Sequence, residues 1–157
     1  MKSFRFLLCA ALTLLVALSC ESEKALELVN QEAAIDKYIT GTYPDNTVAR
    51  NDGANRVILT EGSGAEAAAG DTVEVQLTGY VFTSAPATQY LSERVRTVVG
   101  KGKLLPGLDR GLTGVRKGES ALIIFSAKYG YYDEAVGVVP AMSALCFDAL
   151  VLDIVKM

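Results

Sequence analysis

Histidine and tryptophan are absent from this 157-residue chain, which also holds only three cysteines and four prolines. Without histidine, Ser–His and Cys–His nucleophile pairs and thiolate–imidazole zinc sites cannot be built. The carboxylates are scattered, and Asp133-Glu134 reads as a solvated turn. No metal site and no cofactor are therefore expected. Basic residues number 15 against 18 acidic ones, with no clustered basic face of the kind nucleic-acid binding wants. Phosphate-loop spacing is missing too: GKGKLLPG is not G-x-x-x-x-G-K-[ST], and no G-x-G-x-x-G opens a helix after a parallel strand. A reaction needing no acid, base or nucleophile is the enzymatic option most compatible with this composition.

Long apolar runs are scarce as well. The opening MKSFRFLLCAALTLLVALSC places Lys2 and Arg5 before a 13-residue apolar run, Phe6 to Leu18, and then Ser19 and Cys20. That order is the order of a secretory signal. As a helix the run measures about 20 Å, against about 30 Å for the hydrocarbon core of a bilayer. Ala17-Leu18-Ser19-Cys20 resembles a bacterial lipobox, with Ala17 where leucine is usual. The resemblance implies a signal over 1–19 and a lipidated Cys20 as mature N-terminus, anchored in the bacterial cell envelope and facing the periplasm. The alternative is ordinary signal cleavage beside a chance cysteine. Cleavage before Cys20 would leave 138 residues with 13 basic and 18 acidic side chains, a net charge of −5. Cys146 would then be the one thiol left, so no intramolecular disulfide is expected and the fold must be held by its core. Cys146 itself reads as a buried core thiol, between Leu145 and Phe147 in the most apolar stretch.

What the chain does have is patterned. Residues 21–40 read as a helix, with Ala25, Leu28, Ile35 and Ile39 near one stripe that Glu32 interrupts. It is expected either to dock on the domain or serve as a short stalk, or to act as a dimerisation arm. Gly41 to Gly53 is polar and turn-rich, and reads as a linker. RVILT from Arg56 is a short strand. DTVEVQLTGY alternates, with Val73, Val75 and Leu77 on one face and Thr72, Glu74, Gln76 and Thr78 on the other, the period of a half-buried strand in an antiparallel sheet. Residues 81–96 are ambiguous because Pro86 breaks the pattern, while RTVVG, ALIIF and ALCFDALVLDIV read as strands. Between them lies GKGKLLPGLDRGLTGVRKG, Gly100 to Gly118, with six glycines punctuating Leu104, Leu105, Leu108, Leu112 and Val115. Pro106 suits the first turn of a short helix over 106–112.

That segment resembles the centre of the FKBP-type peptidyl-prolyl isomerases. RVILTEGSGAEAAAGDTVEVQLTGY is similar to the family's opening strand, Gly-rich loop and V-x-V-x-Y-x-G strand. SAKYGYYDEAVGVVPAMSALCFDALVLDI is similar to its closing loop and final strand. Together these stretches cover residues 52–154. The resemblance implies an α+β fold, a curved antiparallel sheet of about five strands around one short helix, with the domain over 53–157 and the N-terminal helix and linker over 20–52. It implies catalytic roles for Tyr131, Phe147 and the backbone N–H of Leu105. It implies substrate contacts for Leu77, Tyr90, Leu104, Leu108 and Val139. The same leucines and Phe147 also fit ordinary core positions; Tyr131, in a polar loop, is the least easily explained by packing. Leu77 replaces the family's strand tyrosine, Tyr90-Leu91 lacks the acidic member of a loop pair, and Pro140-Ala141 replaces a double proline. The implied function is a membrane-tethered isomerase or folding factor acting on proline-containing polypeptides, with the oligomeric state open. The alternatives are an FKBP-like module that binds peptides without useful catalysis, and a lipoprotein serving envelope assembly.

Overall fold

The computed structural model describes the backbone of residues 2–157 and the side chains of residues 21–157. A long helix, α1 (Lys2–Thr42), leads into β1 (Val48–Asn51), β2 (Ala54–Thr60), β3 (Thr72–Phe82) and β4 (Pro86–Val98). A short helix, α2 (Pro106–Gly111), then precedes β5 (Ser120–Phe125) and β6 (Ala144–Val155). The six strands form one sheet in the order β1-β2-β5-β6-β3-β4, every neighbouring pair antiparallel. This is the expected α+β architecture. The side chain of Cys20 and the stretch read as a signal lie outside the residues whose side chains are described. Among the described residues no helix is long and apolar enough to cross a membrane.

The sixth strand corrects the linker reading of 41–53. Val48 to Asn51 pair residue by residue with Val57 to Ala54. Asp52 and Gly53 make the two-residue turn between them with φ of 46° and 92°, the left-handed pair that matches strand twist in tight hairpins. A Cβ on Gly53 would also lie 2.1 Å from the Tyr129 ring and push that ring aside. The ambiguous 81–96 stretch is the bulk of β4. Pro86 does not break that strand because it is the first residue of a sheet edge, where a missing ladder N–H costs little.

The two faces of the sheet have separate cores. On the concave face Val73, Val75 and Leu77 of β3, Ile123 and Phe125 of β5, and Leu145 and Phe147 of β6 pack around Leu108 and Leu112 at α2. On the convex face Ile35 and Ile39 of α1 pack onto Val57, Phe82, Leu122, Ile124 and Cys146. Covered on both sides, β5 reads as an unbroken apolar run rather than an alternating one. The N-terminal helix is thus docked along its second half. Ala25, placed on the apolar stripe by its spacing, is exposed, and the buried polar residue among the helix's described side chains is Gln31.

α2 lies very close to the sheet. A Cβ on Gly107 would sit 2.2 Å from the Phe125 ring, and one on Gly111 2.4 Å from Ile123 Cγ2. At its N-terminal side Asp109 accepts from the backbone N–H groups of Gly100 (2.9 Å) and Gly102 (3.3 Å). At its C-terminal side the buried guanidinium of Arg56 donates to the carbonyls of Gly111, Thr113 and Gly114. Glu119 faces Arg56 Nε at 3.1 Å and accepts from the Arg116 N–H. Three separate segments, the 100–102 turn, β2 and the 119–125 stretch, thereby fix one six-residue helix.

Candidate functional site

A cavity of about 410 Å³ opens between α2 and the concave face of the sheet. Its floor and walls come from Leu77 of β3, Phe147 of β6, and Leu104, Leu105, Pro106 and Leu108 where the chain enters α2. Tyr131 reaches it from the β5–β6 connection. Six of the eight side-chain positions singled out from the sequence therefore meet in one place. Phe125 lies behind Phe147, their rings stacked at 5.8 Å and 19°.

The remaining two do not line the cavity. Tyr90 packs edge-on against Phe147, with centroids 6.1 Å apart and planes at 78°. Its hydroxyl is buried without a hydrogen-bond partner, and burial pushes its pKa well up, with the nearby Tyr131 adding to the shift. Val139 is 2% exposed in the concave core, and its N–H donates to the Val136 carbonyl at 2.9 Å.

Leu91, the apolar member of the Tyr90-Leu91 pair, also lines the cavity, as do Glu93 and Lys103, which nothing in the sequence singled out. Leu91 and Glu93 lie two apart on β4, and Glu93 stands directly opposite Leu77 in the antiparallel register. Pairing is regular from Leu91 to Glu93, so alternation puts both on one face; the bulge lies beyond them, where Tyr90 is the extra residue between the Gly79–Leu91 and Tyr80–Gln89 pairs. The cavity is thus a largely apolar bowl whose polar lining residues are Tyr131, Glu93 and Lys103. Among the described residues no cluster of His, Cys, Asp or Glu could hold a metal ion.

The neighbouring thiol is inert by position. Cys146 is fully buried and faces α1 rather than the cavity, since alternate residues of a strand point to opposite faces. Burial, with a smaller contribution from Asp148, holds its pKa far above the ordinary thiol range.

A bowl of this kind, floored by a single short helix lying across a curved sheet, has counterparts among known proteins. FkpA from Escherichia coli superposes with a TM-score of 0.64 at 19% identity, covering 94% of this chain and 70% of that one. The N-terminal domain of FKBP42 from Arabidopsis thaliana gives 0.64 at 21% identity, covering 71% of this chain and 94% of that one. In sequence, FK506-binding protein 1 of Aspergillus oryzae is 33% identical over 114 residues, 65% of this chain and 98% of the relative. FK506-binding protein 1A of Neurospora crassa is 34% identical over 107 residues, 65% of this chain and 88% of the relative. The family model described as FKBP-type peptidyl-prolyl cis-trans isomerase matches residues 64–152, more than half the chain, and the chain belongs to that family.

Proposed function

We propose that this isomerase works through the cavity between α2 and the sheet, on X-Pro bonds of polypeptides, from a lipid anchor at Cys20. The observation that carries the reading is the convergence of Leu104, Leu105, Leu108 and Phe147 on one bowl with Tyr131 in its wall. Rotation about an X-Pro bond is opposed by amide resonance, a barrier of roughly 18–20 kcal/mol, and takes tens of seconds unaided. A planar amide carries more charge separation than a twisted one, so an apolar bowl that strips water from the carbonyl favours the twisted form. Reaching turnover in about a millisecond requires four to five decades, roughly 5–7 kcal/mol. Desolvation and shape supply part of this. Donors that hold the twisted geometry supply the rest, and the Tyr131 hydroxyl and the Leu105 N–H, at the start of α2 where helix donors lack partners, take those roles.

The departures in the bowl bear on ligands more than on catalysis. Leu77 and Leu91 are apolar where the family's pattern has a tyrosine and an acid. Each lost polar partner commonly costs about 1–3 kcal/mol, so macrolide ligands of the kind named in the fungal relatives should bind this chain weakly. The same departures favour the second reading, a module that binds proline-containing or apolar segments without useful catalysis. An X-Pro tetrapeptide assay on residues 21–157 decides between them. Acceleration is expected; binding of unfolded chains with no acceleration on any X-Pro peptide establishes the module instead.

Tethering rests on the charged start, the 13-residue apolar run and Ser19-Cys20. Two or more acyl chains would anchor stably where one does not, placing the domain at the bacterial envelope on the periplasmic side. Cys20→Ala should abolish acyl labelling and membrane partitioning. Mutant protein that stays with membranes after a high-salt wash overturns the anchor.

A further inference from the structure

Tyr131 lies in the connection between β5 and β6, residues 126–143, and this connection is fastened to α1 through Gln31. Although it sits on a helix bordered by solvent, Gln31 is only 9% exposed. Its side-chain Oε1 accepts from the Ala127 N–H at 2.9 Å, and its Nε2 donates to the Met142 carbonyl at 2.6 Å. Nε2 also faces Glu27 Oε1 at 3.3 Å, so the amide has one orientation that satisfies every neighbour. Ala127 and Met142 stand at opposite ends of the connection, and both hold Tyr132. The Tyr132 N–H donates to the Ala127 carbonyl at 3.0 Å, and the Met142 N–H donates to the Tyr132 carbonyl at 2.6 Å. Gln31, Ala127, Tyr132 and Met142 thus close a ring of hydrogen bonds around the residue that follows Tyr131.

Two residues of that ring, Tyr132 and Met142, have φ of 54° and 55°. Non-glycine residues persist in that region only where surrounding contacts over-determine them. A side chain here must accept from Ala127 and donate to Met142 at this reach. Ionised glutamate accepts from Ala127 but has nothing to donate to Met142, leucine does neither, and asparagine is a methylene too short to span the two.

We propose that Gln31 is a positioning residue for catalysis, holding the β5–β6 connection so that the Tyr131 hydroxyl meets the substrate carbonyl. The proposal rests on the isomerase reading of the cavity. It makes the N-terminal helix part of the working site rather than a spacer.

The test uses the full chain with four variants: Gln31→Leu, Gln31→Glu, Tyr131→Phe, and Gln31→Leu combined with Tyr131→Phe. kcat/KM on an X-Pro peptide is measured well below each variant's thermal midpoint, together with amide exchange at Ala127, Tyr132 and Met142. Gln31→Leu should lower kcat/KM by about as much as Tyr131→Phe, on the order of tenfold. The double variant should fall no further, because both changes remove the same contact. Exchange should rise at all three amides and stay unchanged in β3. Gln31→Glu should release Met142 while Ala127 stays protected, and it carries the same comparison if Gln31→Leu does not fold. Multiplicative losses in the double variant, or an active wild type matched by Gln31→Leu, overturn the assignment of Gln31 alone. Wild-type protein that accelerates no X-Pro peptide overturns the isomerase reading, and this role with it.

Discussion

Two tyrosine hydroxyls sit near one cavity and are expected to behave oppositely. The Tyr131 side chain reaches the cavity, whereas the Tyr90 hydroxyl is buried with no partner. A buried orphan hydroxyl costs about 1–3 kcal/mol, so Tyr90→Phe should raise stability by about 1 kcal/mol or more while keeping the edge contact with Phe147. Denaturant melts check this, and a loss of stability would show that the hydroxyl has a partner in solution. Tyr131→Phe should leave stability within about 0.5 kcal/mol, as surface changes generally do, and lower kcat/KM about tenfold. Phe147 separates less cleanly, because truncation to alanine also leaves a cavity costing about 3–5 kcal/mol. The family resemblance pointed to Tyr131, and its place in a polar loop made packing the weakest explanation for it. Glu93 was illegible, since nothing local to β4 states which residue of β3 it faces.

At the scale of elements, α2 is where local and long-range determinants agree. Pro106 opens it and Gly111 ends it, so the 106–112 expectation was nearly right from punctuation alone. Its closeness to the sheet is a different matter, set by Phe125 and Ile123. Gly111→Ala would drive a methyl to 2.4 Å from Ile123 Cγ2, and should cost about 1–3 kcal/mol as overpacking does, read as a lowered urea midpoint. The buried Arg56–Glu119 pair offers a second test, with side chains 6% and 2% exposed. Arg56→Met strands the Glu119 carboxylate and three carbonyls, and should cost about 3–5 kcal/mol. Replacing Glu119 by leucine as well should recover part of that loss. A double variant as unstable as Arg56→Met would locate the cost in the carbonyls of the α2–β5 connection instead. β1 marks the limit of local reading. Its four residues, Val48 to Asn51, carry no strand-length alternation of their own and become a strand because β2 is beside them.

For the whole molecule, acid stability depends on a carboxylate that joins distant parts of the chain. Asp71 accepts from Lys156 Nζ, from the Ala68 N–H at 2.8 Å and from the Met157 N–H at 3.0 Å. Chiefly through Lys156, and then through those N–H groups, its pKa is lowered to about 2, against about 3.9 in an unfolded chain. A depressed carboxyl adds stability that is fully present above about pH 4 and is lost as pH falls toward 2. Asp71→Asn should therefore flatten that part of the acid limb of a stability–pH curve, and an unchanged limb would assign it to other carboxylates. Composition and pattern alone determined much about this protein. They excluded histidine chemistry and thiolate–imidazole zinc sites, gave the alternating β3, and placed α2 by its proline and glycines, while the family resemblance put Leu104, Leu105, Leu108, Tyr131 and Phe147 forward. The β3 and α2 readings follow from intrinsic backbone preferences and hydrophobic periodicity, which act over a few residues. Only the tertiary structure decided that β1 joins the sheet and that Glu93 reaches the cavity while Tyr90 and Val139 do not. It alone decided that Gln31 holds the loop of Tyr131 from 96 and 111 residues away. Those outcomes depend on register and on which buried polar groups find partners, and both are properties of chain segments brought together rather than of any one segment.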